Sequence, residues 1–205
     1  MIRYIVHPAN PHKRPIEKAV KALQNMELVI YPTDTIYGIG CSINSKQAIE
    51  SIYRLKGKSK FEPMSIICSS IQQASQYAKV SNFAFKILRR CFPGPFTVIL
   101  EASREIPKLM LSRRKEIGIR IPNSNVTNEL VTNLGHAILN TSVNINGGEI
   151  LNDPIIIAER FRDKIGIMLD AGILPDAHQS TVIRLVDDKV EVIREGKGDL
   201  QALPI

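Results

Sequence analysis

The stretch "YPTDTIYGIGCSIN", Tyr31 to Asn44, follows the apolar run "LVI" (Leu28 to Ile30) and interrupts it at Pro32. Thr33, Asp34 and Thr35 come next, then glycines at Gly38 and Gly40. Proline and glycine end strands, while threonine hydroxyls and free backbone N–H groups suit an oxyanion or a phosphate. The stretch therefore predicts a polar loop, Thr33 to Asn44, at the end of a buried strand. In open α/β sheets, ligands collect at such strand ends. Two further segments carry similar chemistry: Asn140 to Gly148 ("NTSVNINGG") and the approach to Ser180-Thr181.

Outward from this loop the apolar pattern switches repeatedly between strand and helix periods, the signature of an α/β protein. "IRYIVH" reads as a strand and "RPIEKAVKALQN" as a helix burying Ile16, Val20 and Leu23. "SKQAIESIYRLKG" reads as a helix capped by Ser45 with Gly57 near its end, and "MSIICS" as a buried strand. "SIQQASQYA" and "SNFAFKILRRC" read as helices capped by Ser70 and Ser81. "FPGPFTVILEA" and "EIGIRIP" are strands, and "NSNVTNELVTNLG" is a helix with Gly135 past its end. "HAILNTSVNINGGE" reads as a short strand breaking into a polar loop. "NDPIIIAERFRD" opens with Asp153 as cap and Pro154 at the first helical position. "IGIMLDAG", "STVIRLVD" and "KVEVIREG" are strands, the last two a hairpin across Asp187-Asp188. No repeat or linker interrupts this series. It predicts one domain over residues 1–205, a twisted mixed sheet with flanking helices.

An apolar fraction of 44% with 23% charged residues is ordinary for a soluble chain. No window approaches the roughly 20 apolar residues of a membrane helix, and "MIRYIVHPANPHKRP" lacks the apolar run of a secretory signal. Cys41, Cys68 and Cys91 are widely spaced among apolar or small neighbours, which fits buried, reduced thiols in a cytoplasmic protein. His7, His12, His136 and His178 show no ligand spacing, so no protein-built metal site is expected. The net charge of +7 favours anionic partners, from nucleotides to RNA, without choosing among them.

That charge is concentrated in "YRLKGKSKFEPMSI", where Arg54, Lys56, Lys58 and Lys60 alternate. "GKS" at Gly57 to Ser59 imitates a P-loop, but the earlier glycine it requires falls on Ile52, inside a helix. "GIG" at Gly38 to Gly40 lacks the third glycine of a dinucleotide fingerprint. A nucleotide site here must be built in another way. Further cations stand at Arg89-Arg90 and in "SRRKE", Ser112 to Glu116. Each reads equally as the polar end of an amphipathic helix or a solvated loop.

Seven motifs then occur in a fixed order: "YPTDTIYGIG", "LKGKSKFEPMSI", "FPGPFTVIL", "IGIRIP", "TSVN", "STV" and "VIREG". Together they resemble the YrdC/YciO family over nearly the whole chain. The resemblance implies a YrdC-like α/β fold with a basic concave cleft. It also implies synthesis of threonylcarbamoyl-AMP and pyrophosphate from ATP, L-threonine and bicarbonate, serving threonylcarbamoyl-adenosine modification of tRNA by a separate transfer machinery. On this basis Lys56, Lys58, Ser142 and Asn144 face the ATP phosphates, and Arg194 reaches the nucleotide. Thr33, Thr35, Arg120 and Ser180 form the threonine pocket, with Tyr31 beside it. Mg²⁺ is then bound mainly through the phosphates. Without the resemblance, Arg120 and Arg194 read as strand-end partners of nearby carboxylates.

Two departures stand out. Lys58 occupies the place of an arginine in the family's synthases, losing the planar two-pronged phosphate contact. Ile67 occupies the place of a pocket histidine. The opening helix and the "REGKGD" ending look closer to the YciO branch. The alternative reading is a tRNA- or double-stranded-RNA-binding module of the same fold with little catalysis. Low aromatic content, 5% with no Trp, leaves it few stacking platforms.

Overall fold

The computed structural model describes residues 1–57, 64–111, 114–144 and 149–203. In chain order the first elements are β1 (Ile2–Ile5), α1 (Lys13–Gln24), β2 (Val29–Tyr31), β3 (Gly38–Ser42), α2 (Lys46–Lys56) and β4 (Ser65–Ile67). Next come α3 (Ile71–Tyr77), α4 (Asn82–Cys91), β5 (Phe96–Glu101), β6 (Glu116–Arg120) and α5 (Asn125–Leu134). The chain continues through β7 (Ile138–Ser142), α6 (Pro154–Phe161), β8 (Ile167–Asp170), β9 (Thr181–Val186) and β10 (Lys189–Arg194).

Local chemistry sets the helix ends. Ser45, Ser70, Ser81, Ser124 and Asp153 each accept a backbone N–H from the first turn of α2, α3, α4, α5 and α6. Gly57 and Gly135 end α2 and α5 with φ of 59° and 81°, left-handed values that a Cβ disfavours. Between β9 and β10, Asp187 and Asp188 hold φ of 50° and 55°, the paired positive values of a tight hairpin turn.

Among the described residues the strands form one ten-stranded mixed sheet, ordered β1-β8-β2-β3-β7-β4-β6-β5-β9-β10. β4 and β6 are parallel, as are β5 and β9, whereas β7 runs antiparallel to both β3 and β4. One face carries the larger apolar cluster, including Ile39, Ile66, Ile119 and Val98, under α2, α3, α4 and α6. The other carries a smaller cluster of Tyr31, Ile67 and Ile138 under α1 and α5. Ile16, Val20 and Leu23 of α1 are buried there, as the helical spacing predicts. Cys41, Cys68 and Cys91 are free and buried, and burial pushes the Cys68 and Cys91 thiols up to about 12. Among the described residues, no helix is long and apolar enough to cross a membrane.

The expected loop from Thr33 to Asn44 requires correction, because Gly38–Ser42 is a fully buried central strand. Its glycines do not break the sheet; they make room. A Cβ on Gly40 would lie 2.5 Å from Ile138 Cγ2 and 2.6 Å from the Tyr31 hydroxyl. Asn140, Thr141 and Ser142 likewise belong to β7 and not to a loop, pairing with Gly40, Ile39 and Gly38.

Candidate functional site

Among the described residues, α1 and α5 pack on their face against side chains of β2, β8, β4 and β7 such as Val29, Leu169, Ile67 and Ile138. Beyond them, one register row runs Gly40, Asn140, Ser65, Gly118, Ile99 and Arg184 across β3, β7, β4, β6, β5 and β9. Residues in one row share a face, so this row is a floor of small and polar groups interrupted by Ile99. A Cβ on Gly118 would lie 3.1 Å from both Ser65 Cβ and Thr97 Cγ2, so the floor is closely packed as well as low. At its far end Arg184 is fixed by Glu116 at 2.6 Å and Glu191 at 3.1 Å.

Arg120, at the end of β6 and 6% exposed, stands beside this floor. Its guanidinium donates to Asp34 Oδ1 at 3.2 Å and to Thr35 Oγ1 at 2.9 Å. The Nε–H is buried with no partner among the described residues. Burial pulls the Arg120 pKa down and nearby Arg194 adds to this, while Asp34 and Tyr31 pull it back up. Asp34 is itself held, its Oδ2 accepting the Asn123 N–H at 3.0 Å. Tyr31 donates to Asn140 Oδ1 at 2.9 Å, and burial, partly offset by Arg120, raises its pKa far above the usual phenol range.

The loop between β2 and β3 is tied internally. Thr33 Oγ1 donates to the Ile36 carbonyl at 2.6 Å and accepts the Thr35 N–H at 3.1 Å. Thr35 Oγ1 lies 3.0 Å from Thr33 Oγ1, whose proton is already committed, so Thr35 is the donor in that pair. Both hydroxyl protons are thus engaged within the loop, and Thr35 presents Arg120 with a lone pair. From the other side, Ser180 Oγ lies 2.8 Å from Thr97 Oγ1, and Arg194 NH2 donates to the Ser180 carbonyl at 2.9 Å.

A second group gathers where α2 meets the end of β7. The Lys56 ammonium donates to the Ser142 carbonyl at 3.1 Å, to the Asn144 carbonyl at 3.0 Å and to Asn144 Oδ1. Three of the four expected phosphate-facing residues are therefore adjacent; the fourth, Lys58, lies outside the described residues, as do Lys60, Ser112 and Arg113. Ile67 is fully buried under the smaller cluster and offers the site no polar group. Among the described residues, no group of three His, Cys, Asp or Glu could hold a metal ion.

Asp34, Thr97 and Asn140 were not singled out by sequence reasoning. For Asp34 the signal was present in a lone carboxylate between two threonines. Thr97 read as an ordinary strand position and Asn140 as the start of a polar loop, and only register brings them to the floor.

A mixed α/β sheet with this floor on one face, flanked by a buried arginine and a lysine–carbonyl cluster, defines the class of the molecule. A family model for Sua5, YciO and YrdC proteins, described as "Telomere recombination", matches residues 21–196. The chain belongs to this family. It is 34% identical over 200 residues to YciO of Escherichia coli K12, covering 97% of each chain. The crystal structure of E. coli YciO superimposes with a TM-score of 0.92 over 98% of both chains. The Sua5 of P. abyssi, crystallised with L-threonine, matches with a TM-score of 0.91 at 27% identity, over 98% of this chain and 59% of that one. A Mus musculus threonylcarbamoyl-AMP synthase is 30% identical over 191 residues, covering 88% of this chain and 66% of that one.

Proposed function

We propose that this face is a basic cleft that makes threonylcarbamoyl-AMP and pyrophosphate from ATP, L-threonine and bicarbonate. The observation that supports this most is the buried Arg120 with its unpartnered Nε–H. An unsatisfied charged donor in the interior is expensive, and an incoming carboxylate would complete it. The threonine-bound Sua5 relative of the same fold points the same way.

In this reading Arg120 binds the amino-acid carboxylate, and Thr33 and Thr35 hold the loop that shapes its pocket. Ser180, aligned by Thr97, contacts the same ligand, and Arg194 reaches toward the nucleotide. Lys56, Lys58, Ser142 and Asn144 meet the triphosphate. Bicarbonate takes up a proton and loses water to give carbon dioxide. This adds to the threonine amine as the amine gives up a proton, and the resulting carbamate is sheltered from bulk water on the floor of the cleft. A carbamate oxygen attacks the α-phosphorus and pyrophosphate leaves, so catalysis is positioning plus charge neutralisation. Mg²⁺ would be held mainly by the phosphates and would supply part of that neutralisation. Asp34, committed to Arg120, is not assigned to the metal. The product would pass to a tRNA threonylcarbamoyl-transfer machinery.

The test is pyrophosphate release from ATP by purified protein with bicarbonate, with and without L-threonine, and mass detection of threonylcarbamoyl-AMP. Threonine-dependent release is the expected result. If only a Lys58→Arg, Ile67→His double variant is active, those two departures silence an otherwise competent cleft. If neither protein is active, the synthase reading fails. A second reading, binding of tRNA or double-stranded RNA by the same face, is favoured by the net charge of +7. It predicts an affinity that falls steeply with salt and ignores threonine.

A further inference from the structure

β4 and β6 are adjacent and parallel, yet the helices that follow them leave to opposite faces. α3 buries Ala74 and Tyr77 in the larger cluster, while α5 buries Val126 and Leu130 in the smaller one. Such a divergence opens a crevice beyond the carboxyl ends of the two strands, the topological position at which open α/β sheets take ligands. Here the crevice is a cavity of about 440 Å³, within the range of small-molecule sites. None of the residues assigned to the cleft lines it.

Its lining is divided by chemistry. Ile71, Phe85, Phe92 and Pro122 form an apolar wall, and Phe85 remains 45% exposed at the rim. Among them stand Arg89, one turn beyond Phe85 on the same face of α4, and Asn123 and Asn128, whose side chains have no hydrogen bond or ion pair with the described residues. No Asp or Glu is among the described lining residues, and Asp34, whose carboxylate accepts the Asn123 N–H, is paired with Arg120. Arg89 also belongs to the Arg89-Arg90 pair that the cleft leaves unused.

We propose that this crevice is a second ligand site, for a small organic anion with a flat apolar body. Its phosphate or carboxylate meets Arg89 and the amides of Asn123 and Asn128, and its ring lies against Phe85 and Phe92. The proposal is independent of the reading of the cleft.

Phenyl phosphate and benzoate are the probes, titrated into ¹⁵N-labelled full-length protein while backbone amide shifts are followed. Saturable shifts at Ser70, Asn123 and Asn128 are expected with at least one of them, identifying the preferred head group. Benzyl alcohol and inorganic phosphate, each half a ligand, should bind about ten-fold more weakly or worse. Arg89→Ala should weaken the probe about ten-fold, the loss of one charge-assisted contact. Asn128→Phe should abolish binding by filling the cavity. Both positions are exposed, so the variants should fold. The proposal is overturned if neither probe shifts these amides or if shifts are confined to residues 33–35, 118–120 and 140–144. Binding unaffected by Arg89→Ala, or inorganic phosphate matching phenyl phosphate, overturns it as well.

Discussion

Arg120 is the residue on which the site turns, and its state depends on Asp34. The two side chains are 7% and 10% exposed, so their ion pair is largely shielded from solvent. Breaking a buried pair from one side leaves an uncompensated charge, which costs about 3–5 kcal/mol. Asp34→Ala should therefore lower stability by roughly that range, read as a drop in the urea midpoint with unchanged m-value. Arg120→Met strands Asp34 as the uncompensated buried charge, so it should destabilise by a similar amount, and it should also abolish the proposed threonine-dependent activity. Calorimetric titration with L-threonine separates the two effects. If Asp34→Ala costs no more than a surface substitution, Asp34 does not hold Arg120 in the way the geometry indicates. Sequence alone suggested a strand-end pair for this arginine or, through the family resemblance, a ligand contact. The structure shows the pair, and the orphaned Nε leaves a donor available for the contact.

At the scale of elements, β3 shows what a sequence reading misses. Serine and aspartate caps were legible because a cap needs only its own helix turn: Ser45, Ser70, Ser81 and Asp153 all accept the expected kind of bond. β3 was not legible, because Gly38 and Gly40 normally signal a break and only the position of Tyr31 across the sheet explains them. The same long-range dependence put Asn140 in an expected loop, although its role in β7 comes from the Tyr31 hydroxyl, 109 residues away in sequence. Gly40→Ala tests this explanation. Its new methyl would overlap Tyr31 and Ile138, and overpacking of this kind costs about 1–3 kcal/mol. Lower stability is expected, with altered amide shifts at Asn140 as Tyr31 moves away. Gly135→Ala meets no neighbour and should be penalised only through its φ of 81°. If Gly40→Ala proves as mild as a surface substitution, the packing account of β3 is wrong.

For the molecule as a whole, the dependence of stability on pH should show two separate windows. His136 joins α5 to β7, and its Nε2 lies 2.7 Å from Ser42 Oγ. Burial lowers its pKa from the ordinary 6.5, and a hydrogen bond to the Leu134 carbonyl opposes this. Burial disfavours the charged ring, and a neutral ring can accept the Ser42 proton at Nε2, so the folded state favours neutral His136. The unfolded chain then binds more protons than the folded one between the lowered pKa and 6.5. Stability is accordingly unaffected by this group above 6.5 and declines as pH falls from there toward the folded value. Asp176 acts in the same sense at lower pH, since its hydrogen bond to His178, reinforced by Lys197, holds its pKa below 3.8. Its contribution is present above 3.8 and disappears only in stronger acid. His136→Gln should flatten the upper window and leave the lower one in place, measured as urea midpoints across the pH range. Asp176→Asn should do the reverse. If His136→Gln leaves the upper decline intact, another group titrates there and the neutral His136–Ser42 contact is not its source.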